Sequence, residues 1–251
     1  MFFSKKLKRF KEINHCFFSR NNGFSKGIFK SLNCGKGSMD NKNNVLKNFK
    51  YITKKMFLKK NNLVLMNQTH SNKVFLIKKK RNKFKRINSD AIITNIKGLG
   101  LGVVTADCVP IILYDAKNKV IGCIHAGWKG AFSGIIQNAV NAIRNINLKN
   151  EIYATIGPCI GVKSYEVDIK FYKKFISKSK NNKKYFIRKN NKKKFFNLRK
   201  YASDILIKLK VEVDHINRDT FIEKHNFFSY RRSCKLKQKD YGRCISIISL
   251  I

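Results

Sequence analysis

Apolar residues follow two rhythms along this chain. Between Asp90 and Trp128 the runs DAIITN, LGLGVVTADCVPIILYD and KVIGCIHAGW are aliphatic and β-branched, with few polar interruptions and with Gly, Asp, Asn or Pro at their ends. That pattern predicts strands buried on both faces. Further runs predict strands at about 63–66 and 73–77, in EIYATIG, in VEVDHI, in the aromatic NFFSYRRS and in the closing YGRCISIISLI. Elsewhere the period lengthens. Ile135, Ile136, Ala139, Val140 and Ile143 recur at helical spacing and predict a helix over about 132–145. Leu198, Tyr201, Ile205 and Leu209 line one face of a second helix over 197–209, and 42–60 reads as a third, amphipathic one.

No internal repeat and no Pro/Gly/Ser linker divides the 251 residues, so a single domain over 1–251 is expected. The Lys/Asn-rich stretch at about 178–194 reads as a mobile loop, and Lys78 to Arg86 as a solvated one.

Composition changes the picture less than its extremity suggests. Fifty-five Lys and Arg against 14 Asp and Glu give a formal charge of +41, which would ordinarily indicate an anionic partner. The excess is mostly Lys, accompanied by abundant Asn, Ile and Phe, as an AT-rich genome would produce. No nucleic-acid-binding motif accompanies it, and the Lys runs lack an interleaved stacking platform. A basic polyanion- or RNA-binding protein is therefore the non-enzymatic alternative, with no specific nucleic-acid partner expected. Seven cysteines, an odd number with no CxxC, point to a reducing, cytoplasmic compartment. No apolar run approaches the roughly 18 residues of a membrane helix, and the basic start lacks the uninterrupted apolar core of a secretory signal.

Three side chains suggest a built site. His70 ends the run LVLMNQTH, Cys108 precedes Val109-Pro110, and His125 follows VIGCI and precedes the small pair Ala126-Gly127. Their spacings of 38 and 17 residues are wrong for a zinc finger and suit ligands delivered by separate strands. Two His and one Cys satisfy the three-ligand rule for a catalytic zinc and also suit copper. A metal-free reading, with Cys108 as nucleophile and His125 as base, fits the spacing equally well. Gln68 and His70 lie two apart and would face one side if the strand continued. Cys159, in a Gly-Pro-Cys-Ile-Gly turn, reads as a small buried hydrophobe. Arg231 and Arg232 cannot share a face of an extended segment, so one is expected to point inward.

The motifs NQTHSNKV, DAIIT, ADCVPIILYD, HAGWKG, IGPCIGVKSYEV and FFSYRR, with the opening HCFFSRNNGFSKGIFKSLNCG, resemble in order those of the YfiH/YlmD-type (DUF152) family. That family was long labelled multicopper polyphenol oxidases, or laccases, and is now described as purine nucleoside phosphorylases. The resemblance implies an α+β fold in one domain, with two β-sheets packed between helices as an α-β-β-α sandwich. It implies a metal site of His70, Cys108 and His125, zinc by preference with copper as the alternative. It further implies phosphorolysis of adenosine, inosine, guanosine and methylthioadenosine, with adenosine deamination as a side activity and a copper-dependent polyphenol oxidase as the rival enzyme. Purine nucleosides and phosphate are then the partners of a monomer or weak homodimer, away from membranes. For the substrate pocket the candidates are Arg20, Asn33, Gln68, Lys129, Arg231 and Arg232. Two departures stand out: Lys129 where Arg is usual in HAGWKG, and Asp219-Thr220 where Cys-Thr is usual.

Overall fold

The computed structural model describes residues 1–59, 61–81 and 87–251. The basic segment 78–86 and the expected end of the first helix at residue 60 lie partly outside them. The described strands, in chain order, are β1 (Ile13–Phe17), β2 (Leu63–Asn67), β3 (Val74–Ile77), β4 (Ile87–Asn88), β5 (Ala91–Thr94), β6 (Gly100–Thr105), β7 (Val109–Asp115), β8 (Val120–Ala126), β9 (Ile152–Ile156), β10 (Glu166–Asp168), β11 (Phe186–Arg188), β12 (Lys193–Phe196), β13 (Glu212–His215) and β14 (Cys244–Leu250). The helices are α1 (Lys42–Lys55), α2 (Trp128–Ser133), α3 (Ile135–Arg144), α4 (Ile169–Lys178), α5 (Leu198–Lys208) and α6 (Tyr230–Lys235).

One sheet runs β1-β14-β6-β2-β4 and a second β13-β9-β7-β8-β5-β3. Strand alternation fixes which side chains meet. Ile92, Ile112, Tyr114, Ile121 and Cys123 of the second sheet face Leu101, Val103, Ile248 and Leu250 of the first, forming the inner core. The opposite side chains of the second sheet, among them Ile93, Ile111, Leu113 and Ile124, pack under α3 and α5. Those of the first, including Ile245 and Ile247, pack against Ile52 and Met56 at the end of α1. The α-β-β-α sandwich expected from the resemblance is the observed architecture. Among the described residues no helix is long and apolar enough to cross a membrane.

Several expectations shift on local grounds. The helix expected to reach residue 60 ends at Lys55, because Met56 caps it and Phe57 adopts a left-handed φ of +53°. The helix expected over 132–145 is two, broken at Gly134 (φ +99°). The Lys/Asn-rich stretch expected to be a mobile loop carries regular structure: a 3-10 turn over Lys180–Tyr185, then β11 and β12, which pair with each other and, through β12, with β10 in a three-stranded sheet. Phe171, Phe175, Phe186 and Phe196 pack edge-on and stacked beneath it, so aromatic burial outweighs the polar composition. The segment read as an aromatic strand carrying paired arginines becomes α6, capped by the Ser229 side chain, which accepts from the Arg232 amide.

The topology also explains where a site can form. Among the described strands, two of the three passages from the first sheet to the second, between β2 and β3 and between β6 and β7, carry candidate ligands. His70 lies in the first of these crossings and Cys108 in the second. Both crossings leave from the same end of the sandwich, because β2 and β6 are parallel neighbours.

Candidate metal centre and its cleft

His70, Cys108 and His125 converge. Their ligand atoms all lie within 4.8 Å of one another, with Cys108 Sγ 3.8 Å from His70 Nε2. The two imidazole rings meet edge to face, centroids 4.7 Å apart. His125 is buried at the end of β8, Cys108 is half-buried at the mouth of β7, and His70 is exposed. Pro110, opposite His125 in the β7–β8 ladder, does not mark an edge strand. It sits one residue before the β9 pairing that starts at Ile111, where its carbonyl still accepts from the Gly157 amide at 2.9 Å.

The residue that organises this corner is Asp90, which the sequence reading did not single out for a role. It immediately precedes β5, and the β5–β8 register places it beside His125. Asp90 is fully buried. Its Oδ1 accepts from His125 Nδ1 at 2.8 Å and from the His70 amide at 3.0 Å. Its Oδ2 accepts from the Ser71 amide and hydroxyl at 2.6 and 2.7 Å, and from Thr69. Burial opposes its ionisation, but the hydrogen bonds from His125 and Ser71 outweigh that and hold the carboxyl well below its usual range. This network explains why Gln68 and His70 do not continue as a strand: His70 takes a left-handed φ of +59°, with its amide turned to Asp90.

Asp90 also settles the imidazole's orientation. Nδ1–H of His125 donates to the carboxylate, so Nε2 is left to face Cys108 and His70. Burial disfavours charge on both Cys108 and His125, yet each stabilises the other's charged form, lowering the thiol's pKa and raising the imidazole's.

A second buried carboxylate holds the wall at Cys108. Asp107, with a φ of +88°, accepts from the Thr220 hydroxyl (2.7 Å), the Ser229 hydroxyl (2.9 Å) and the Arg231 amide (2.7 Å). It thereby fastens the residue before Cys108 to the start of α6. Burial raises its pKa, only partly offset by these donors.

The donor set has the spacing a metal ion needs. Tetrahedral zinc bonds of roughly 2.0–2.3 Å set neighbouring ligand atoms about 3.4–3.6 Å apart, close to the observed Cys108–His70 separation. The cradle leaves no room for a side chain at residue 127, where an added Cβ would lie 2.8 Å from His70 Cδ2 and 3.0 Å from Cys108 Sγ. A second-sphere carboxylate already orients one ligand. The residues fit a three-ligand metal with an open position. Among the described residues no other group of three or more His, Cys, Asp or Glu converges in this way.

The site opens into a cleft with a volume of about 1320 Å³, lined in part by Trp128, Lys129, Tyr165, Tyr230 and Arg231. The pocket candidates divide. Lys129 and Arg231 line the cleft. Gln68 lines it too, but both ends of its amide are engaged by Val104, extending the β2–β6 ladder with side-chain bonds. Arg20, Asn33 and Arg232 are not brought to it. Arg20 donates to the Lys30 and Lys224 carbonyls and lies over the Phe228 ring. Arg232 donates to the carbonyls of Thr220, Phe221 and Phe227. Asn33 is fully buried and bridges Ser38, Asp40, Gly35 and the Arg243 amide.

A family model described as multi-copper polyphenol oxidoreductase laccase matches residues 14–251. The chain belongs to this family. Relatives carry a different name from the family. A Rickettsia conorii protein named purine nucleoside phosphorylase is 35% identical over 218 residues, covering 85% of this chain and 88% of its own. The Escherichia coli protein named purine nucleoside phosphorylase YfiH is 30% identical over 252 residues, covering 96% and 95%. Among solved structures, Bacillus licheniformis YfiH superposes with a TM-score of 0.87 at 26% identity, covering 95% of this chain and 93% of that one. A DUF152 protein from Neisseria meningitidis gives 0.85 at 27%, covering 96% and 95%. The YfiH/YlmD resemblance read from the motifs is thus borne out. Asp219, which stands where the resemblance leads one to expect Cys, accepts from the Phe221 amide at 2.9 Å and, across 55 positions, from the Ser164 hydroxyl at 2.6 Å, so it braces the turn after β9.

Proposed function

We propose that this protein is a zinc-dependent purine nucleoside phosphorylase acting on adenosine, inosine, guanosine and methylthioadenosine, with adenosine deamination as a secondary activity. The observation that carries the reading is the convergence of His70, Cys108 and His125 on one open-sided locus beside two cleft cations, Lys129 and Arg231. Relatives named for this activity over nearly the whole chain support it. Copper oxidase chemistry is less favoured: a multicopper relay needs several centres, and one His2Cys set converges among the described residues. The seven free thiols fit a reducing cytoplasm.

The metal, when bound, supplies a Lewis acid at the cleft wall. The chain's own residues do the rest. Asp90 retains the Nδ1 proton of His125 and holds the backbone of His70, fixing two ligand directions at once. Arg231 is anchored through its amide to Asp107 and through Nη1 to the Glu166 carbonyl, which leaves Nε and Nη2 to hold phosphate. Lys129 adds charge without Arg's bidentate geometry. In the reaction a phosphate oxygen bonds to the ribose C1′ as the C1′–N9 bond breaks, and the purine leaves with the bonding pair and takes up a proton. Two cations lining the same cleft restrain the nucleophile for that in-line approach.

The test is phosphate-dependent release of adenine from adenosine by the wild type and Cys108→Ala. We expect turnover in the first and at least a hundredfold loss in the second, as for removal of an essential group. Equal activity would remove Cys108 from the mechanism. Phenol oxidation without nucleoside turnover would favour the copper reading.

A further inference from the structure

Beyond the metal centre the same cleft continues toward the turn Gly35–Ser38 and toward Tyr241 and Arg243. Its volume exceeds the roughly 300–1,000 Å³ usual for one small ligand. With 55 basic residues against 14 acidic ones, an unpaired lysine on this protein carries little information. An arginine whose donors are left over is different. Arg20, Arg199 and Arg232 each spend both Nη groups on backbone carbonyls, as structural arginines do. Arg243 gives one bond, Nη1 to the Tyr241 carbonyl at 3.2 Å. Its Nε and Nη2 have no acceptor among the described residues, and no carboxylate pairs with it.

That guanidinium is nevertheless held still. It lies 4.2 Å over the Tyr241 ring, and Tyr241 packs on Tyr230 at 5.0 Å. Its backbone is fixed by Asn33 Oδ1 and by the Cys34 amide. The turn approaches it so closely that a Cβ on Gly35 would lie 2.9 Å from Nη1. The turn itself closes through Ser38, whose amide and hydroxyl both engage the Gly35 carbonyl, and it presents Lys36 at its exposed tip. A planar fork, stacked, half-buried, facing a cleft and unpaired with any carboxylate among the described residues, is the arrangement that binds a phosphoryl group.

We propose that Arg243, stacked on Tyr241 and flanked by the Lys36 turn, is a second phosphoryl-binding subsite, distinct from the Lys129–Arg231 pair. The group it takes is the 5′-phosphate of a nucleoside monophosphate or a free phosphate ion. Which of the two occupies the cleft together with a purine ribosyl group rests on the phosphorylase reading above; binding of phosphate at Arg243 does not.

Calorimetric titration of the full-length protein at 0.3 M salt, separately with AMP, adenosine and inorganic phosphate, tests this in the wild type, Arg243→Met and Arg243→Lys. General adhesion to surface lysines is the same in all three and cancels. If the nucleotide is the ligand, wild type binds AMP about tenfold or more tightly than adenosine, and Arg243→Met abolishes that advantage while adenosine affinity stays unchanged. If free phosphate is the ligand, AMP has no advantage and Arg243→Met weakens inorganic phosphate about tenfold. In either case Arg243→Lys is intermediate, because it keeps the charge and loses the fork. Unchanged AMP and phosphate affinities in Arg243→Met would overturn the subsite. So would parallel weakening of adenosine, which would indicate a collapsed cleft wall. Binding through Arg243 without any phosphorolysis by wild type would instead overturn the phosphorylase reading and leave the subsite standing.

Discussion

Two buried carboxylates brace the walls of the cleft, and they do so by different means. Asp90 faces an imidazole and a row of N–H and O–H donors on one short loop, and it is held ionised. Asp107 reaches two hydroxyls and one amide from the distant C-terminal segment, and burial pushes its pKa upward. The first orients the His125 imidazole and the His70 backbone directly. The second fastens the Cys108 crossing to α6, more than a hundred residues away in sequence, and so brings Arg231 and Tyr230 to the site. The difference separates two tasks that a contact map would merge: setting ligand direction, and closing the cleft.

The largest effect should follow Asp90→Ala. Removing it strands His125 and the amides of His70 and Ser71, so we expect a stability loss on the order of 3–5 kcal/mol and metal affinity weakened by roughly 10–100-fold or more. Thermal unfolding and metal titration read the two separately. Full metal retention would deny Asp90 its orienting role. Asp90→Asn, which keeps an acceptor for some donors, should fall between.

That residue also marks how far the sequence could be read. The apolar runs DAIIT, VPIILYD and VIGCIHA are strong enough to predict the central strands, because burial on both faces leaves each of them nearly unbroken. His70, Cys108 and His125 were visible as a set because each sits where such a run stops. Asp90 was not, since an Asp before a strand is also an ordinary turn residue; only the β5–β8 register shows that it lies beside His125. The segment carrying Arg231 and Arg232 reads as a strand and folds as a helix for a related reason. FFSYRR has strand-like composition, and its helix exists because Ser229 and Asp107 cap it, the latter through a tertiary contact no local pattern reveals. Likewise the aromatic residues under β11 and β12 were hidden in a lysine-rich stretch whose polar side chains are the solvent face.

Asp107→Ala should cost less, about 1–3 kcal/mol for the donors it leaves unsatisfied. It should sharpen the contrast by its selectivity: the KM for phosphate rises as α6 loosens, while metal content stays near that of wild type. Loss of metal equal to that in Asp90→Ala would erase the distinction between the two carboxylates.

The smallest effect lies away from both walls. His15 is buried, and its Nε2 accepts the Ser4 amide at 2.9 Å. Burial, reinforced by the charge of Lys8, lowers its pKa to about 4. A depressed folded value means that the neutral form stabilises the fold, fully above the unfolded value near 6.5 and progressively less as pH falls toward 4. We expect about 1 kcal/mol to be lost between pH 6 and pH 5 in wild type and little of that slope in His15→Gln. Identical slopes would assign the acid sensitivity elsewhere, including to the cleft.

The central claim is that His70, Cys108 and His125 form one zinc site. Metal analysis of the intact protein, purified without added metal or chelator, tests it most directly. The account predicts about one zinc per chain in the wild type and little in Cys108→Ala. Equal zinc in the two proteins, or copper in place of zinc in the wild type, would contradict it.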